Sequence, residues 1–266
     1  MAADVIRRNN VQIFGEGEKT ILFAHGFGCD QNMWRFITPA YEKDYKIILF
    51  DYVGCGKSDL LAYNEERYST LNGYAEDIID ICNVLNLKQV IFIGHSVSSM
   101  IGVLAYVQSP DIFERMVLVC PSPRYINDIG YIGGFEKQDL EDLLDVMDSN
   151  YIGWASFLAP VVMKNPDMPE LTEELQKSFC SIELRITKKF AEVTFFSDNR
   201  RDLNKIQIPT LILQCSDDAI APDEVGEFVH ANTPGSTLVK MEAIGHCPHM
   251  SHPEETIEKI NKFLSD

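Results

Sequence analysis

The chain has 266 residues, 45% of them hydrophobic and 24% charged, which suffices for one sizeable core and excludes a disordered or fibrous chain. A formal net charge of -17 with no basic cluster repels phosphate backbones and anionic lipid, so neither nucleic acid nor a membrane surface is an expected partner. No apolar run approaches the roughly 20 residues of a spanning helix. The N-terminus lacks a signal-peptide core, and seven scattered cysteines without a CxxC pair suggest reduced thiols in a cytoplasmic protein.

In chain order, short apolar runs alternate with helical patterns, the signal of βαβ units around a mostly parallel sheet. Strands are expected at 11–14, 20–24, 46–51, 90–94, 115–120, 210–215 and 237–242. Several are apolar on both faces, as strands covered by helices on each side should be. Helices are expected at 71–85, 97–107 and 254–264, the last opening on Ser251-His252-Pro253. Between about 123 and 201 the alternation stops. That stretch reads as helices at 135–147, 151–163, 171–179 and 186–196, a helical lid inserted into a single domain.

The chemistry starts where an apolar strand, Val90-Ile91-Phe92-Ile93, runs into Gly94-His95-Ser96 and a helical pattern begins at once. This is the context of a nucleophile elbow, a sharp strand-to-helix turn that lifts a serine hydroxyl above the sheet. The pattern departs from G-x-S-x-G at its last position, which is Ser98. A serine in such a turn can also be a plain helix cap, so Ser96 needs a base to count as a nucleophile. His246 follows the strand expected at 237–242, where this arrangement places its base; His249 and His252 are rivals. Three imidazoles spaced three apart could bind zinc, but Pro248 and Pro253 interrupt any helix that would align them, and no metal is expected. His95 reads as a structural residue of the elbow. Asp217 and Asp218 both follow the strand at 210–215, and the Asp-x-x-x-Pro spacing to Pro222 selects Asp218. Either could instead cap the next turn. The order Ser96, Asp218, His246 is that of the α/β-hydrolase fold. Oxyanion donors are expected from the backbone N–H groups of Phe27, in His25-Gly26-Phe27-Gly28, and of Val97.

At these residues the chain resembles the RsbQ-like α/β-hydrolases of the bacterial sigma-B stress pathway and the related plant karrikin and strigolactone receptors. His25 to Gln31, Phe50 to Gly54, Asn150 to Trp154, Leu213 to Cys215 and Gly245 to Ser251 look RsbQ-like; the elbow Gly94 to Gly102 looks more like the plant receptors. The resemblance implies a four-helix lid over a closed apolar pocket lined by Phe27, Tyr125, Phe135, Trp154, Leu158 and Phe195. It also implies signalling, in which a small apolar ligand is bound or slowly hydrolysed and a partner reads the result; for RsbQ that partner is a PAS-domain serine phosphatase.

The reaction expected is acyl transfer from an ester or lactone, with no cofactor. A metabolic carboxylesterase or carbon–carbon bond hydrolase would use the same triad, and a non-catalytic binding protein would use the same scaffold. Fast, selective turnover of a metabolite would mark the metabolic enzyme, whereas a pure receptor would tolerate Ser96→Ala. Serine at position 96 argues against a haloalkane dehalogenase, whose nucleophile is aspartate.

Overall fold

The computed structural model describes residues 2–265, with side-chain placement from residue 4 onward. Seven strands form one sheet: β1 (Gln12–Phe14), β2 (Lys19–Ala24), β3 (Tyr45–Leu49), β4 (Val90–His95), β5 (Phe113–Val119), β6 (Thr210–Asp217) and β7 (Ser236–Ile244). Their spatial order is β1-β3-β2-β4-β5-β6-β7. β1 runs antiparallel to β3, and every other neighbouring pair is parallel.

The helices are α1 (Ala2–Arg8), α2 (Leu71–Val84), α3 (Val97–Gln108), α4 (Lys137–Ser149), α5 (Tyr151–Met163), α6 (Pro169–Ser181), α7 (Leu184–Phe195), α8 (Asp223–Asn232), α9 (Pro248–Ser251) and α10 (Pro253–Ser265). The double-sided apolar strands follow from where these helices lie. Leu22, Phe92, Leu118 and Ile212 point into one core shared with Ile78 of α2 and Ile101 of α3. Their alternating neighbours Ile21, Ile93, Val117 and Leu213 point into the other, shared with Trp34 and Ile260 of α10. Alternation along a strand sends successive side chains to opposite faces, so a strand with helices on both sides must be apolar throughout.

The expected strands all form, with β5 starting two residues earlier and β6 and β7 running two residues further than their sequence patterns suggest. The helix α1 has no counterpart in the sequence expectations. It is too short to show a helical period; Val5 and Ile6 pack against the core, and Arg8 reaches the buried Asp77 (3.1 Å) and Asp80 (2.9 Å) of α2.

Four helices, α4 to α7, lie between β5 and β6 in the chain. α4 packs against α5 and α7, and α5 against α6. Tyr151 ties three of them together: its hydroxyl donates to the carbonyl of Phe179 and lies 2.9 Å from Oγ1 of Thr187. The C-terminal end of α5 is fastened to the far edge of the sheet. The N–H of His246 donates to the carbonyl of Val162 (2.8 Å), and Nδ2 of Asn165 to those of Met163 (2.7 Å) and Ile244 (3.1 Å). α6 is fastened to the loop after β2 by the paired Arg35–Glu174 contacts (2.8 and 2.7 Å) and by Ser178 Oγ, which donates to the carbonyl of Gly28 (2.7 Å). No helix among the described residues is long and apolar enough to cross a membrane.

Candidate active site

Ser96 stands between β4 and α3 with φ 56° and ψ −124°, a conformation that L-residues adopt only under constraint. The constraint is visible. The N–H of Ser96 donates to the carbonyl of Val119 on the neighbouring strand (2.8 Å), and its own carbonyl accepts from the N–H of Ser99 (2.9 Å). Gly94 leaves the room this turn needs, because a Cβ there would come within 2.6 Å of the Phe92 ring and 2.8 Å of the Ser98 carbonyl. Ser98 occupies the position usually held by glycine, and its hydroxyl donates to the carbonyl of His25.

Nε2 of His246 lies 2.7 Å from Oγ of Ser96, and Nδ1 of the same ring lies 2.6 Å from Oδ2 of Asp218. A carboxylate can only accept, so Nδ1 carries the proton and Nε2 is free to accept from the serine hydroxyl. All three residues are buried. The other oxygen of Asp218 accepts from the N–H groups of Ile220 (2.8 Å) and Ala221 (3.1 Å). Burial pushes this carboxyl up, but the imidazole beside it and these N–H donors outweigh burial and hold it below the ordinary carboxylate range. Asp217 turns the other way and pairs with Lys164 at the surface.

The remaining histidines have other surroundings. Nε2 of His95 lies 2.7 Å from the carbonyl of His246, and burial lowers its pKa to about 3, so the ring is neutral and donates from Nε2. It buttresses the loop that carries His246. His249 is fully buried, with its ring 4.6 Å from that of Trp34 and 4.4 Å from that of His95. His252 precedes α10 and contacts Oγ of Ser251 (2.9 Å). Residues 246, 249 and 252 therefore point to different places. The donor atoms that do converge, within 4.8 Å of one another, belong to Cys120, Asp218 and His246. Asp218 and His246 are engaged with each other there, and burial keeps the Cys120 thiol protonated, which makes it a poor metal ligand.

Oγ of Ser96 faces a small, mostly apolar cavity. Phe27, Tyr125, Leu158 and Phe195 are on its wall. The hydroxyl of Tyr125 is 3.5 Å from Oγ of Ser96, and burial pushes its pKa up, so it stays protonated. Two residues expected on the wall are elsewhere. Phe135 precedes α4, where its backbone pairs with Tyr125 and Asn127, and it packs outside the cavity. Trp154 is buried one layer behind, with its ring 6.3 Å from Phe27 and 5.2 Å from Phe179. Cys29, Val162, Leu175, Phe179 and Ile220 supply the rest of the apolar wall. The helical periodicity around residues 171–179 marks Leu175 and Phe179 as inward-facing, but only the tilt of α6 decides that they face this cavity. Among the described residues, neither Phe27 nor Val97 donates its backbone N–H to another protein group.

A mostly parallel sheet, a serine on a strained strand-to-helix turn and a hydroxyl–imidazole–carboxylate row at the carboxyl edge define the α/β-hydrolase class. The chain belongs to the alpha/beta hydrolase family, whose profile matches residues 21–259. It is 40% identical over 257 residues to the karrikin insensitive 2 receptor CA of Petunia hybrida, covering 96% of this chain and 95% of that one. It is 31% identical to the strigolactone esterase of Arabidopsis thaliana, covering 98% of each. A solved hydrolase from Oleispira antarctica superposes with a TM-score of 0.97 at 47% identity, covering 100% of this chain and 97% of that one.

Proposed function

We propose that the protein is a serine hydrolase acting on a small, largely apolar ester or lactone, and that its output is ligand signalling of the RsbQ-like kind. The observation that carries the catalytic part is the continuous row from Ser96 Oγ through His246 to Asp218, opening into a mostly apolar cavity. Ser96 attacks the carbonyl carbon while Nε2 of His246 takes its proton. Asp218 holds the imidazole in the required tautomer and stabilises its protonated form. The N–H groups of Phe27 and Val97 are the oxyanion donors in this reading, which their lack of a protein partner among the described residues supports; losing one such donor typically costs ~10²–10³ in turnover. The protonated imidazole then releases the alcohol, and water hydrolyses the acyl-enzyme by the same route in reverse.

The signalling part rests on the similarity to the Petunia receptor and on the resemblance to the RsbQ-like hydrolases. A partner protein, by that resemblance a PAS-domain serine phosphatase, would read the liganded state. Seven unpaired cysteines support a reducing, cytoplasmic setting. The test is hydrolysis of a fluorogenic short-chain ester by wild type, Ser96→Ala and His246→Ala, beside a pull-down with and without ester. Hydrolysis that survives both substitutions rejects the triad. Rapid, selective turnover of a metabolite with no ligand-dependent partner favours a metabolic esterase.

A further inference from the structure

The lid contributes Leu158, Val162, Leu175, Phe179, Thr194 and Phe195 to the cavity wall. Five of these are hydrocarbon. Thr194, on α7, is only 1% exposed, and its Oγ1 is buried without any hydrogen-bond partner. That is unusual, since a threonine inside a helix ordinarily satisfies its hydroxyl on the carbonyl one turn earlier. Its neighbours on the same helix do follow such local rules: Oγ1 of Thr187 lies 3.2 Å from the carbonyl of Glu183, and Ser197 Oγ donates to the carbonyl of Thr194 itself (2.8 Å). A buried hydroxyl left unpaired is costly, and in an apolar wall it is out of place unless something that enters the cavity pairs with it. Phe195, the next residue, packs edge-on against Tyr125 at 5.2 Å, and the Tyr125 hydroxyl faces Ser96. Thr194 itself is among the lid residues that line the cavity holding the nucleophile.

We infer that Thr194 is the specificity residue of this cavity, and that it selects esters or lactones carrying a second oxygen function away from the scissile carbonyl. The inference rests on the hydrolase reading above for its chemistry and deepens it by naming the substrate class. The threonine O–H donates to an ether, carbonyl or hydroxyl oxygen of the ligand's non-reacting part. An all-hydrocarbon ligand would fill the same space and leave the hydroxyl unpaired. Sites built to pair with a substrate oxygen reject analogues lacking it more strongly than apolar pockets reject a change of one methylene.

The experiment uses esters that differ by one atom: p-nitrophenyl pentanoate, and the methoxypropanoate and ethoxyacetate in which oxygen replaces a methylene. Wild type, Thr194→Val and Thr194→Ser are compared. Valine keeps the shape without the hydroxyl; serine keeps the hydroxyl. The readout is the ratio of kcat/KM for an oxygen-bearing ester to that for pentanoate, which cancels the intrinsic reactivity of each ester between variants. The ratio is expected to fall about tenfold in Thr194→Val for at least one oxygen position and to be retained in Thr194→Ser, the size of one hydrogen bond. A purely structural role would shift all esters together, and an unchanged ratio at both positions overturns the inference. Ser96→Ala separates the two claims. If it hydrolyses as fast as wild type, the hydrolase reading fails. The same comparison is then made by calorimetric binding of the esters in the Ser96→Ala background with and without Thr194→Val, where an unchanged ratio of Kd values again overturns the role of Thr194.

Discussion

The hydroxyl of Tyr52 lies 2.9 Å from Oγ of Ser98, whose own hydrogen is committed to the carbonyl of His25, so tyrosine donates to serine and serine to the backbone. This chain of hydrogen bonds explains why a serine stands where the elbow pattern has glycine: it joins the start of the loop after β3 to the start of α3 and the end of β2. Ser98→Ala leaves both the Tyr52 hydroxyl and the His25 carbonyl unpaired in the core, with an expected loss of about 1–3 kcal/mol. Denaturant unfolding measures it. Adding Tyr52→Phe to Ser98→Ala should cost less than Tyr52→Phe alone in the wild type, the coupling expected of residues in one network.

The two adjacent aspartates make opposite predictions. Asp218→Asn keeps the shape but no longer fixes the His246 tautomer, and turnover of a fluorogenic ester should drop by about 10⁴. Asp217 is half-exposed and paired with Lys164, so Asp217→Asn should change turnover by no more than about threefold. Equal effects of the two substitutions would contradict the geometry.

Stability should fall with acid in a window set by buried imidazoles. Burial holds His25, His95 and His249 below the ordinary histidine value of 6.5, His95 at about 3. Below pH ~6.5 the unfolded chain binds protons at these positions and the native fold does not. More protons on the unfolded side means that stability rises with pH, so it is complete above ~6.5 and declines as pH falls. Each group contributes a slope of about 1.4 kcal/mol per pH unit. His249 makes no hydrogen bond among the described residues and packs on Trp34, so His249→Phe should reduce the slope by one proton's worth. Denaturation at a series of pH values reads it directly.

Gly28 has φ +70°, and a Cβ there would meet the Phe179 ring at 2.2 Å. Gly28→Ala should cost about 1–2 kcal/mol for the left-handed backbone, and ~1–3 kcal/mol more for the clash, because the partner is a buried ring on α6. Since Phe27 precedes it, ester turnover should fall as well. Thermal unfolding together with kcat checks both.

The sheet was largely legible because strands covered on both faces must be apolar at consecutive positions, and Val90 to Ile93 or Leu211 to Leu213 could hardly be anything else. Ser96, His246 and Asp218, singled out by order and context, are the residues within hydrogen-bond reach of one another. The cavity wall was less legible. Periodicity tells which side of α5 or α6 is inward, but Trp154 and Phe179 are both inward and only helix tilt puts one in front of the other. Ser98 looked like a defect in a pattern, because its partners Tyr52 and His25 are 46 and 73 residues away. α1 was invisible for a related reason: a pairing between Arg8 and Asp77 leaves no local trace.

Arg35–Glu174 and Ser178–Gly28 pin α6 to the loop that carries Phe27. The lid helix and that loop are thus clamped together by side chains that solvent partly reaches. Cutting the clamp, as in Glu174→Gln, should therefore let the lid helix and the stretch around Phe27 shift independently of each other.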